Sequence, residues 1–204
     1  MGNREDLMAG AKRCLYEKGY GRTTARDVAT ASGVSLAAIG YHFGSKDALL
    51  NAAMIEAIGE MVGETLGAVV NAANRVSDDP EERFAAVWDG LRTVFTEHRG
   101  LWAAQFEALA QAAHAPELAH AFAEAQKEGR LGLAALFQGL PEVPDTEEEV
   151  VRGSFYQTLL AGYAAQWLAA PELAPNGRDF LRGLRLVSGS VFGPAVPSPP
   201  ATAR

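Results

Sequence analysis

The side chains best suited to hold a phosphate stand close together near the start of the chain. Ser45 is placed to cap a helix that Lys46 opens, and the first turn of a helix offers free amides and a partial positive charge to an anion. Lys46 adds a cation at that same end. Tyr41 and His42 add a phenolic OH and a ring NH of a length suited to backbone oxygens. Other chemistry finds little footing. Cys14 is the only cysteine, which excludes an intramolecular disulfide framework and a multi-cysteine zinc site and fits a reducing cytoplasm. His114, Glu117 and His120 have the residue types of a metal site. On a helix, however, offsets of three and six rotate by about 300° and 600°, which leaves the imidazoles about 120° apart, so no metal is expected. Glu147, Glu148 and Glu149 follow Thr146 and read as a solvated first turn that complements the helix dipole. No nucleophile elbow, phosphate-cradling glycine loop or dinucleotide fingerprint occurs, so neither an enzyme nor a cofactor is expected.

The elements that must position these residues are helices. Leu7, Met8, Ala11, Leu15 and Tyr16 form the apolar stripe of a helix from Arg4 to about Lys18, ended by Gly19 and Gly21. Thr24 can cap a short helix through the Asp27 amide, running to about Ala31. Gly33 suits a tight turn, Ser35 caps the next helix from Leu36 to about His42, and a long helix from Lys46 reaches toward Asn74. Two short helices joined by a glycine-containing turn make a helix-turn-helix. Capping and Pro/Gly punctuation divides the rest into helices near 80–97, 100–113, 116–138, 146–169 and 177–190. Nine or ten helices and no strands are expected, an all-α chain with Leu7, Leu15, Val28, Ala29, Val34, Ile39, Phe43 and Leu49 as the core of the N-terminal unit. The tail 193–204, GPAVPSPPATAR, buries too little to offset its ordering entropy and is expected to be disordered.

The charge is distributed unevenly. The whole chain carries −7, yet residues 1–50 hold seven Lys or Arg against five Asp or Glu, or +2, and the remainder eleven against twenty, or −9. Only the N-terminal quarter favours a polyanion. The N-terminus lacks the apolar run of a signal peptide and no stretch approaches the roughly 20 apolar residues of a membrane helix, so a cytoplasmic protein with no membrane partner is expected.

The stretch from about Leu7 to Leu50 resembles the DNA-binding domain of the TetR family of bacterial regulators. The resemblance rests above all on Glu17-Lys18-Gly19-Tyr20, Thr23-Thr24-Ala25-Arg26-Asp27-Val28-Ala29, Gly33-Val34-Ser35 and Tyr41-His42-Phe43-Gly44-Ser45-Lys46-Asp47-Ala48-Leu49-Leu50. It implies a DNA-binding domain over 1–47, with the helix-turn-helix at about 24–43, and a ligand-binding and dimerisation domain over 48–192. Leu36 to His42 is then the recognition helix, with Thr24 and Arg26 on the preceding helix facing phosphate and base edge. The implied DNA contacts are Thr24, Arg26, Ser35, Leu36, Ala37, Ala38, Tyr41, His42 and Lys46. Many members carry a Lys near the start of the recognition helix and a Tyr after its apolar anchor; here Leu36 and Gly40 stand there, and one phosphate contact is missing. Leu36, Ala37 and Ala38 favour apolar contact with thymine methyls, which leaves Arg26 as the base-specific donor.

The resemblance also implies a ligand pocket among the central helices, where Trp88, Phe95, Trp102, Phe106 and Phe122 recur at helical spacing and suit a hydrophobic or aromatic effector. The last two helices are apolar enough to want a partner. By resemblance they form a four-helix bundle with their copies, giving Tyr156, Leu160, Tyr163, Trp167, Phe180 and Leu184 as dimer-interface residues. The expected function is a homodimeric repressor on a palindromic double-stranded operator, released when a small effector tilts the helix that starts at Lys46. A rival reading, motivated by the −7 charge and the missing Lys, is a helical ligand-binding or dimerisation protein with a vestigial head.

Overall fold

A computed structural model of the chain describes residues 2–193, so the tail expected to be disordered lies outside the described residues apart from Gly193. Among them the chain forms ten α-helices and no strand. The N-terminal unit contains α1 (Asn3–Lys18), α2 (Ala25–Ser32) and α3 (Leu36–Phe43). The helix after it is α4 (Lys46–Glu60), which passes without a break through a π-helical stretch (Met61–Leu66) into α5 (Gly67–Val76). Then come α6 (Pro80–Glu97), α7 (Arg99–Ala112), α8 (Pro116–Gln138), α9 (Glu147–Ala169) and α10 (Gly177–Phe192). Because α4, the π-helical stretch and α5 make one rod, nine rods result.

Several starts are fixed by side-chain caps. Thr24 accepts from the Asp27 amide at 3.2 Å, Ser45 from Ala48 at 3.0 Å, Asp79 from Glu81 at 3.0 Å and Asn176 from Asp179 at 2.9 Å. Gly33 takes the left-handed conformation at φ 71°, which turns the chain between α2 and α3. Ser35 departs from the expectation. It stands at the start of α3 in an extended conformation, but its hydroxyl makes no capping hydrogen bond.

The head has its own small core. Leu7, Leu15, Val28, Ile39 and Leu49 are buried, together with Cys14, while Val34 and Phe43 are half-buried against them. Ala29, expected there, is only half-buried and is not part of that cluster. The head is strapped to the trunk at several points. The Tyr16 hydroxyl meets His98 Nδ1 at 3.1 Å, while His98 Nε2 meets Thr65 Oγ1 in the π-helical stretch at 3.4 Å. The Gly21 amide donates to Glu107 at 3.0 Å, and Lys12 pairs with Glu56 and Glu60 at 2.6 Å. Backbones touch here too: a Cβ on Gly100 would lie 2.2 Å from the Tyr16 carbonyl oxygen, so α7 approaches α1 this closely only through a glycine.

The trunk is packed around rings. Trp88 stacks on Phe180 at 3.9 Å and meets Tyr163 edge-on at 5.3 Å, and Phe95 meets Trp102 edge-on at 4.9 Å. Tyr163 donates from its hydroxyl to the Pro175 carbonyl at 2.7 Å, fixing the loop that leads into α10. This packing engages the residues expected at a dimer face within the chain itself. Leu160, Tyr163 and Trp167 are buried within the chain, Tyr156 stacks on Phe137 at 4.1 Å, Phe180 is half-buried against Trp88 of α6, and Leu184 is half-buried. The apolar side chains that α9 and α10 expose are instead Val151, Phe155, Leu186, Val187, Val191 and Phe192.

Candidate nucleic-acid interface and ligand cavity

Arg26 projects from the first turn of α2, exposed, and its guanidinium has no ion pair or hydrogen bond among the described residues. Its neighbour Asp27 is committed elsewhere. The Asp27 carboxylate accepts from Lys18 Nζ at 2.5 Å and from the Thr24 hydroxyl at 2.6 Å and amide at 2.9 Å, and these contacts hold it well below the usual carboxylate range. The Thr24 hydroxyl is thereby engaged twice, as donor to the carboxylate and acceptor from the Asp27 amide. Its remaining lone pair cannot donate to a phosphate, so the contact that Thr24 can offer without breaking its cap is steric or through its methyl group.

On α3, Leu36 and Ala37 are exposed, and Tyr41 is 85% exposed with its ring edge-on to His42 at 4.9 Å. Ala38 is placed differently from Leu36 and Ala37. It is half-buried and packs on the head core, because it shares a face with the buried Ile39 side of the helix. His42 is half-buried in the last turn of α3. Ser35 is exposed with its hydroxyl uncommitted, so the first turn of α3 keeps free amides beside a free hydroxyl.

Lys46 is less available than the sequence implied. Its ammonium pairs with Asp47 at 2.9 Å and reaches back to the Thr23 carbonyl at 3.4 Å, tying the start of α4 to the loop before α2. Arg4, which sequence reasoning passed over, lies over the Phe43 ring at 5.3 Å and brings a further cation beside the end of α3. Only the fold brings these two together, since they are far apart along the chain.

In the trunk, two cavities meet at shared walls. One of about 460 Å³ is bounded by Ile58, Gly59, Val62 and Gly63 on the long helix and by Phe122 and Leu133 on α8. A second, of about 300 Å³, is bounded by Trp102, Phe106 and Leu109 on α7 and by Thr158 and Ala161 on α9. Phe122, Gln105, Gln126 and Gln157 line both, so they are lobes of one space. Of the aromatic residues expected to line a pocket, Phe122, Trp102 and Phe106 do so. Trp88 and Phe95 line neither lobe; both are fully buried in the ring cluster, which consumes their faces. The glutamines and the two glycines were missed because an aromatic stripe directs attention to rings. Among the described residues no group of three His, Cys, Asp or Glu is placed to hold a metal ion, and no helix is long and apolar enough to cross a membrane.

The comparisons with known proteins agree with this geometry. The profile of the bacterial regulatory proteins, tetR family, matches residues 7–53, which span the helix-turn-helix and the start of α4. The HTH-type transcriptional repressor AcnR of Corynebacterium efficiens is 30% identical over 175 residues, covering 74% of this chain and 93% of that protein. Among solved structures, a transcriptional regulator from Rhodococcus sp. Rha1 superposes with a TM-score of 0.58 at 24% identity, covering 91% of this chain and 96% of the other. The multidrug binding protein EbrR complexed with proflavin superposes with a TM-score of 0.62 at 22% identity over 91% and 99% of the two chains. Both structural likenesses concern the fold alone. With the head matched by the profile and a relative aligned along most of both chains, this protein belongs to the TetR family of bacterial regulatory proteins.

Proposed function

We propose that the chain is a transcriptional repressor that binds a palindromic operator as a homodimer and leaves it when a small ligand enters the trunk. The observation that carries the DNA reading is the free Arg26 guanidinium beside a recognition helix whose exposed face is Leu36, Ala37 and Tyr41. In this reading residues 1–47 are the reading head and 48–192 the regulatory body. Arg26 donates to a base edge. Ser35, Tyr41, His42 and Arg4 serve phosphates, and Lys46 does so only after leaving Asp47. Kinship with a protein named as a repressor supports the direction of control.

Pairing through α9 and α10 is supported by the apolar residues these helices expose, Val151 and Phe155 on one and Leu186, Val187 and Val191 on the other. A two-fold pair places two recognition helices about 34–36 Å apart, one turn of duplex. Effector control is supported by the lobed cavity, whose wall includes the long helix that begins directly after α3. A ligand that prefers one tilt of that helix by about 1–3 kcal/mol changes operator affinity roughly 5 to 150-fold. The test is selection from random duplexes followed by titration at several salt concentrations. An inverted repeat and a steep fall of affinity with salt are expected. Selection of no inverted repeat, or binding indifferent to salt, refutes the proposal and leaves the vestigial-head reading.

A further inference from the structure

Two polar atoms buried without a partner belong to residues that line the smaller lobe. The indole Nε1 of Trp102 and the Oε1 of Gln105 have no hydrogen-bond partner among the described residues. The first is a donor only, and the second an acceptor only. Nearly all buried polar groups in folded proteins are satisfied, so a donor and an acceptor left without partners on two residues that line one lobe call for a ligand that supplies both complements. Around them lie the apolar Phe106, Leu109, Phe122 and Ala161 together with the uncharged polar Gln126, Gln157 and Thr158. Charge is scarce. No ionisable side chain lines the smaller lobe, and the only one on the larger lobe, Glu128, is itself exposed. An ion entering this space gives up its water and meets no buried countercharge.

We infer that the effector is an uncharged amphiphile, whose apolar body fills the larger lobe against Ile58, Gly59, Val62 and Gly63 and whose hydroxyl or carboxamide end sits in the smaller lobe, accepting from Trp102 Nε1 and donating to Gln105 Oε1. The inference rests on the ligand-released reading above and adds the chemistry of the ligand. Gly59 and Gly63 contribute by absence: a Cβ at either position meets nothing within 4 Å, so the room their missing side chains leave belongs to the cavity wall.

The test is calorimetric titration of the full chain, without DNA and near neutral pH, with 1-decanol, decanamide, decanoate and decylamine. The apolar body is nearly constant and only the end group changes. The alcohol and the amide are expected to bind at least about tenfold more tightly than the carboxylate and the ammonium. Gln105→Leu is expected to weaken 1-decanol by about tenfold, and Trp102→Phe by a similar factor. Equal or tighter binding of either ion overturns the inference, as does failure of all four to bind or an unchanged 1-decanol affinity in Gln105→Leu. If a variant does not fold, the four-ligand series on the unaltered chain still decides. Operator affinity is measured separately: 1-decanol that binds as expected but leaves DNA affinity unchanged sinks the regulatory reading and spares the ligand chemistry.

Discussion

Arg26 and Lys46 are both cations of the head, yet only one is unpaired, and their replacement is expected to differ in kind. Arg26→Ala should lose about 1–3 kcal/mol at a single base pair, read as relaxed preference in a panel of operator variants. Lys46→Ala should lower affinity for every duplex alike and reduce the salt slope by about one unit or less, because its ammonium already pairs with Asp47. Equal loss across all variants for Arg26→Ala removes its base-reading role. Asp27 supplies a pH signature. Its folded-state carboxyl lies below the ordinary value, so its contribution to stability is present above about pH 4 and disappears as pH falls through the folded value. The gap in urea midpoint between the unaltered chain and Asp27→Asn should be widest near neutrality and close in acid. The gap is expected to be small and to shrink with salt, since the Lys18 pair is open to solvent. At this scale the sequence located the residues but not their engagements. Thr24, Asp27 and Ser45 were legible because capping is a local rule. The engagement of Lys46 was not legible because the Thr23 carbonyl that holds it is brought near by the packing of α4 on the head.

Elements meet through missing side chains at several crossings. A Cβ on Gly100 would lie 2.2 Å from the Tyr16 carbonyl oxygen, and one on Gly153 would lie 1.9 Å from that of Arg130, so α7 on α1 and α9 on α8 are both in backbone contact. Gly100→Ala must separate the head from the trunk or strain both, and a loss of about 1–3 kcal/mol in urea unfolding is expected. A variant as stable as the parent removes the close approach. Element boundaries followed from punctuation, with Gly33, Pro80, Pro116 and Asn176 each standing beside a helix end. The π-helical stretch did not. Its sequence, MVGETL, differs from ordinary helix by one glycine, and glycine alone does not distinguish a widened turn from a tolerated one.

For the whole molecule, the apolar excess of α9 and α10 divides into a buried half and an exposed half. Leu160, Tyr163 and Trp167 were expected at the partner because large apolar side chains are the obvious anchors, whereas these three are buried in the chain's own core. Helical periodicity gives the stripe but not which stripe faces inward when two apolar faces adjoin. The exposed residues carry the prediction. Val187→Asp puts a charge on the face left to solvent, and sedimentation should show a shift from dimer to monomer with loss of operator binding. An unaltered dimer places the interface elsewhere. Cys14 offers a separate view of the molecule, being the only thiol and buried inside the head, where burial also raises its pKa. An alkylating reagent reaches that sulfur only in moments when the three small helices part, so its rate of modification clocks local opening. Bound operator holds those helices closed and should slow the clock by mass action, whereas a duplex of unrelated sequence at the same concentration should slow it far less.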